Sequence, residues 1–156
     1  MNWDAIGASA EFVGAIAVVL TLLYLAVQIR QSNRLSKFQS ARDVFEQIDD
    51  NNRLVVESKE LRTLSSKAYD SLTDEESKQL AVFVGRQLNA FTNLQTAYDQ
   101  GLIDDALFTA GKSAVGVFIG DWPNIHPILI DWVQKFPTLA DKEIFEALRE
   151  SIRSSV

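Results

Sequence analysis

The sequence predicts an all-α protein: an N-terminal transmembrane helix that continues into a cytoplasmic helical bundle of about five further helices. Three observations carry that expectation. Residues 12–27 (FVGAIAVVLTLLYLAV) form an apolar run without a charge. No Pro or Gly interrupts the chain between Gly14 and Gly85. Beyond the run, apolar residues recur at spacings of three, four and seven, and no stretch keeps the period of two that marks a half-buried strand.

The apolar run extends from Ala5 to Ile29, 25 residues with Glu11 as their one charge. A helix crossing about 30 Å of hydrocarbon needs about 20 mostly apolar residues, so this stretch is long enough to span with some tilt. A lone segment must satisfy its own backbone hydrogen bonds in lipid, which selects a helix. Two rival readings are weaker. A buried core helix this long would need most of the remaining chain to cover it. A cleaved signal peptide opens with basic residues and ends at a small-residue cleavage site. Here residues 1–11 carry Asp4 and Glu11 and no base, and Ala8-Ser9-Ala10 precedes the apolar run instead of following it.

Charge gives the span a direction. Arg30, Arg34, Lys37 and Arg42 follow it with no acid among them, and its other flank has no basic residue. The positive-inside rule then places the C-terminal side in the cytoplasm and the short N-terminus outside. Trp3 and Tyr24 are the aromatic residues nearest the two interfaces. Gly7, Ala10, Gly14, Ala17 and Thr21 recur at spacings of three and four, a stripe of small residues along one side. Small residues permit the close backbone approach through which helices associate in lipid, so the stripe is a candidate homo-oligomer interface. Glu11, beside it, is a membrane-embedded charge and a functional candidate for that reason, although a position near the helix end lets it reach the headgroups.

Composition narrows the rest. Without cysteine, disulfides, thiolate metal sites and cysteine nucleophiles are excluded. The net charge of −6 conceals a division: residues 43–156 carry 11 basic and 19 acidic residues, a net −8. An acidic domain is a poor match for nucleic-acid phosphates, which need a basic face. The expected partners are the lipid bilayer, further copies of the chain and a protein yet to be identified.

The chain divides into a tail and span (1–29), a juxtamembrane helix continuous with it (30–52) and a helical domain (53–156). Leu35, Phe38, Phe45 and Ile48 keep helical spacing, so one helix is expected from Ala5 to Asp49, ended by Asp49-Asp50-Asn51-Asn52. A second helix is expected over residues 53–70. Thr73 with Glu76 is a capping box, and Asp74 and Glu75 suit the positive end of the helix they open. That helix should reach Gln100, bury Leu80, Val84, Leu88, Phe91, Leu94 and Tyr98, and end with Gly101 as its C′ residue. Asp104 caps a helix through Ile119 that is apolar on most of its circumference, the pattern of a buried central helix. A turn over 120–124 precedes a short helix from Pro127 to Phe136, stopped by Pro137. Thr138 with Asp141 should open a last helix with Ile144, Phe145, Leu148 and Ile152 inward.

Residues with catalytic potential are few. His126 is the only histidine and stands in a Pro-bracketed turn without a motif partner. Glu75-Glu76 and Asp104-Asp105 fall at helix starts, where capping accounts for them. Gly111-Lys112-Ser113 imitates the tail of a phosphate loop but has Ala106 where that loop needs its first glycine. Trp122 and Trp132 read as core or rim aromatics. Neither enzymatic activity nor a cofactor is expected.

The motifs Asn2-Trp3-Asp4-Ala5-Ile6-Gly7, Gly14-Ala15-Ile16-Ala17-Val18-Val19 and Tyr24-Leu25-Ala26-Val27-Gln28-Ile29-Arg30-Gln31 resemble the opening of a widespread family of uncharacterised small bacterial single-pass inner-membrane proteins. The likeness continues at Leu72-Thr73-Asp74-Glu75-Glu76 and Tyr98-Asp99-Gln100-Gly101-Leu102-Ile103-Asp104. This chain has Leu107-Phe108 where that family leads one to expect a Trp. The resemblance implies one N-terminal span, a helical cytoplasmic part and a bacterial inner-membrane location, and it brings no activity. Two functional expectations follow: a membrane-anchored interaction or scaffold module that oligomerises, or an oligomeric conduit or membrane-state sensor using the stripe and Glu11.

Overall fold

A computed structural model describes residues 3–154, with side chains from Glu11 onward. The chain is all-α, with seven α-helices and no strand among the described residues. It divides into two compact units, residues 1–37 and 38–156. Helix α1 runs Trp3–Glu57. It is followed by α2 (Lys59–Ser66), a 3-10 turn (Tyr69–Ser71), α3 (Asp74–Asp99), α4 (Asp105–Asp121), a 3-10 turn (Pro123–Ile125), α5 (His126–Lys135), α6 (Pro137–Ala140), a 3-10 turn (Glu143–Phe145) and α7 (Glu146–Ser154).

The polar cluster at 49–52 does not end α1. Arg53 forms ion pairs with Asp49 at 3.5 Å and Asp50 at 3.6 Å along the helix surface. Asn51 turns inward and is 1% exposed. Local pairing and the contacts of Asn51 and Asn52 with Gln87 thus consume the residues that would otherwise favour a turn. The chain breaks instead at Ser58, whose backbone is extended and whose hydroxyl accepts from the Leu61 amide at 3.1 Å, starting α2. The Arg62 guanidinium donates back to the carbonyls of Val55 and Val56, covering the open end of α1. The second helix is accordingly shorter than the expected 53–70.

α3 forms as its sequence signals require. The Thr73 hydroxyl accepts from the Glu76 amide at 3.3 Å, and the Glu76 carboxylate accepts from the Thr73 amide at 3.0 Å. The hydrogen bond from Lys67, followed by that from the Thr73 backbone, holds the Glu76 carboxyl below the ordinary carboxylate range. Gly101, at φ 66°, ends the helix in the left-handed conformation that glycine adopts without strain. Leu80, Val84, Leu88, Phe91 and Leu94 are buried as expected, and Tyr98 stacks on Phe108 with ring centroids 3.9 Å apart.

α3, not α4, is the central helix. It buries ten residues, whereas α4 buries five and leaves Val117 62% exposed. The apolar circumference of α4 overstated its burial, because α3 and α7 cover only part of it. Between them lies an aromatic cluster in which Phe83 packs on Trp122 with centroids 4.9 Å apart and on Phe118 at 6.2 Å. The C-terminal region differs from expectation too. Pro137 ends α5 but also occupies the first turn of α6, where its fixed φ suits a helix start. Thr138 therefore lies inside α6, and the last α-helix begins at Glu146, with Ile144 and Phe145 buried in the 3-10 turn before it.

Two glycines make opposite cases for packing. A Cβ on Gly111 would lie 1.9 Å from Leu94 Cδ2 and 3.2 Å from its Cγ, with the fully buried Leu94 having little room to yield, while one on Gly85 would meet nothing within 4 Å. Gly111→Ala is expected to destabilise the domain by about 1–3 kcal/mol. Gly85→Ala should stabilise it by roughly 0.5–1 kcal/mol through helix propensity. Thermal unfolding of the detergent-solubilised chain, followed by circular dichroism, checks both signs.

Candidate functional site

Residues 11–37 form one uninterrupted exposed surface on α1. The helix is long and apolar enough to cross a membrane near the N-terminus, with a mean hydropathy of 2.4 over its best window and none of that window buried. Phe12, Leu20, Leu22, Leu23 and Ile29 are each exposed by about 60% or more. Burying such side chains is worth roughly 1.5–3 kcal/mol apiece, so this surface carries a large uncompensated cost in water.

The small-residue stripe lies on this surface. Gly7 and Ala10 fall where side chains are not described. Gly14, Ala17 and Thr21 are exposed, and a Cβ at Gly14 would meet nothing within 4 Å. The same three-four spacing continues beyond the predicted stripe through Tyr24, Gln28, Gln31 and Leu35. Thr21, Tyr24 and Gln28 are all the polar residues of 12–29, and each falls on this line. Leu35 is the one apolar residue of 30–37, and it falls there too. The line therefore collects small and polar residues where the helix is otherwise apolar, and an apolar residue where it is otherwise polar. Thr21 Oγ1 donates to the Ala17 carbonyl at 2.8 Å, and Gln28 Nε2 donates to the Tyr24 hydroxyl at 2.8 Å. These bonds leave the Tyr24 proton and the Gln28 carbonyl oxygen free to point outward. Extending the spacing by two turns would have revealed Tyr24 and Gln28 from sequence.

The sequence-predicted charges separate into different environments. Glu11 is exposed, and no ion pair engages it among the described residues. Arg30, Arg34 and Lys37 are exposed and likewise form no ion pair among the described residues. Arg42 differs, lying 3.6 Å from the Glu46 carboxylate.

Within residues 38–156, buried amides do work the sequence did not announce. Asn51 Nδ2 donates to Gln87 Oε1 at 3.0 Å, tying α1 to α3. Asn124 Nδ2 donates to the carbonyls of Leu64 and Lys67 at 2.7 and 2.9 Å, closing the C-terminal end of α2. Gln95 Oε1 accepts from the Ile144 amide at 2.9 Å. A cavity of about 450 Å³ opens between α1, α3 and α4, floored by Phe83, Gln87, Phe91, Phe118 and Trp122. Its floor is aromatic with a single buried amide, and Asp121 stands at its rim. His126 Nε2 lies 2.5 Å from Ser151 Oγ and so links α5 to α7. Surface ion pairs close the periphery. Lys112 meets Glu143 and Glu146 at 3.0 Å each, which raises the Lys112 pKa and lowers that of Glu146. Lys142 meets Asp99 at 2.8 Å, the leading cause of a lowered Asp99 pKa. Among the described residues no group of three or more His, Asp or Glu side chains is placed to hold a metal ion.

No protein-family model, curated protein or solved structure matches this chain.

The Asn51–Gln87 pair is open to a double-mutant cycle. Gln87→Leu strands the Asn51 amide in the core and is expected to cost about 1–3 kcal/mol. Adding Asn51→Leu removes the orphaned group and should recover part of that loss. Chemical denaturation of the two single variants and the double variant measures the coupling.

Proposed function

We propose that this chain is a membrane-anchored interaction module of the bacterial inner membrane. α1 crosses the bilayer with its N-terminus outside, self-associates along the line through Gly14, Ala17, Thr21, Tyr24 and Gln28, and carries an acidic helical domain that meets a protein partner in the cytoplasm.

The observation that carries this reading is the exposure of the apolar run. The domain has its own core, built from residues Val44 to Leu148, and residues 11–37 are exposed throughout. In lipid the exposed Phe, Leu, Ile and Val side chains meet a matching solvent, and helix hydrogen bonding satisfies the backbone. The basic residues at 30–42 support the orientation. Self-association is supported by the change of chemistry along one line of the helix. Apolar bulk gives no driving force between helices in lipid, where small residues and polar groups make the contacts. Outside the lipid the apolar residue is the one that gains from burial. One helix–helix contact line would use Gly14, Ala17, Thr21, Tyr24 and Gln28 in the first setting and Leu35 in the second. Its three-four alternation is the 3.5-residue repeat of left-handed helix pairs.

The full chain is expected to remain in the membrane pellet after alkaline carbonate extraction, and release into the supernatant would remove the anchor. In detergent it should run as an oligomer by light scattering. Gly14→Leu, which places a bulky side chain on the contact line, should weaken association about tenfold. Ile16→Leu, on another side of the helix, should leave it unchanged. An oligomer indifferent to Gly14→Leu means that the line is not the interface.

A further inference from the structure

We propose that Arg30, Arg34 and Lys37 form a binding face for the phosphate headgroups of anionic phospholipids, so that the protein selects the lipids around it as well as crossing the bilayer. This rests on the reading of α1 as a membrane span. The three residues are spaced by four and three along α1, which at about 100° per residue puts them within roughly 60° of one another on a single face. All three are exposed and form no ion pair among the described residues. They begin one residue after the last apolar residue of the run, Ile29, where a helix leaves the hydrocarbon.

The surrounding electrostatics suit an anion from outside the chain. No Asp or Glu occurs between Phe12 and Arg42, a stretch of 31 residues. Intramolecular neutralisation begins only at Arg42, which Glu46 meets at 3.6 Å. The three cations are thus left to whatever lies beside the helix at that depth, and the complementary charge there is the lipid phosphate. Their chemistry fits it. Two guanidinium groups can each chelate two phosphate oxygens, and the lysine adds a flexible point charge that lies along the headgroup layer by extending its stem. The face is separate from the self-association line. Gln31 and Leu35 each follow a member of the basic face by one residue, about 100° around the helix, so an assembly through that line leaves the basic face turned to lipid.

The full chain reconstituted into symmetric vesicles of phosphatidylcholine with a minority of phosphatidylglycerol tests this without regard to orientation. The readout is the ratio of the two lipids in motional contact with the protein, from spin-labelled analogues of each. Wild type is expected to prefer phosphatidylglycerol about fivefold or more, a preference that falls as salt rises. The triple variant Arg30→Gln/Arg34→Gln/Lys37→Gln should lose the preference while still resisting carbonate extraction. Arg42→Gln, whose charge is already paired, should keep it. Equal contact of wild type with both lipids, or a preference that survives the triple substitution, overturns the proposal. Carbonate release of wild type would instead overturn the membrane reading beneath it.

Discussion

A helix that ends against a protein core leaves carbonyls and amides that water cannot reach. The domain formed by residues 38–156 packs several such ends into a small volume, and side-chain amides and guanidinium groups complete them. Asn124 closes α2 through two carbonyls and Gln95 receives the amide that opens the turn before α7, while at the surface Arg62 covers the end of α1. Arg149 does the same for the region after α6, donating to the carbonyls of Ala140 and Lys142. The apolar core could be assembled in several ways by burial alone. These directional contacts select one, because each donor reaches its acceptor only when the helices stand in one arrangement.

Residues 11–37 follow a different pattern. Their side chains are arranged as they would be in a hydrocarbon slab that gives way to water near Arg30. Apolar bulk faces outward over most of the helix, and polar groups are drawn to one line and bonded within the helix. Cations begin where the apolar residues stop. In the domain formed by residues 38–156, the cavity between α1, α3 and α4 is floored by aromatic rings and one amide.

How much of this was legible depended on range. The Thr73–Glu76 box, the Asp104 cap and the left-handed Gly101 act within a few residues, and all were read from sequence. The α3 stripe was legible because period alone defines it. The helix through Asp49 and Asn52 was not, since the contact that draws Asn51 inward comes from Gln87, 36 residues away. Thr138 carried a capping signature that lost to Pro137, which starts its own turn first. α4 was read as central from its apolar composition, but burial depends on neighbours, and Val117 stays 62% exposed. In the candidate membrane segment, the stripe of small residues was legible as spacing. Tyr24 and Gln28 escaped because they are large and polar, and only their position on the same line relates them to Gly14.

The buried Asn51 also fixes a count. Val44, Ile48, Asn51 and Val55 follow one another at four, three and four residues on the face that α1 turns toward α3 and α4. Adding or removing one residue between Val44 and Asn51 would turn the remainder of the helix by about 100°. An insertion would then aim the Asp50 carboxylate at Gln87, whereas a deletion would present Asn52, which already accepts from Gln87 Nε2 at 3.4 Å. This part of α1 behaves as a key that one added residue would no longer fit to the lock formed by α3.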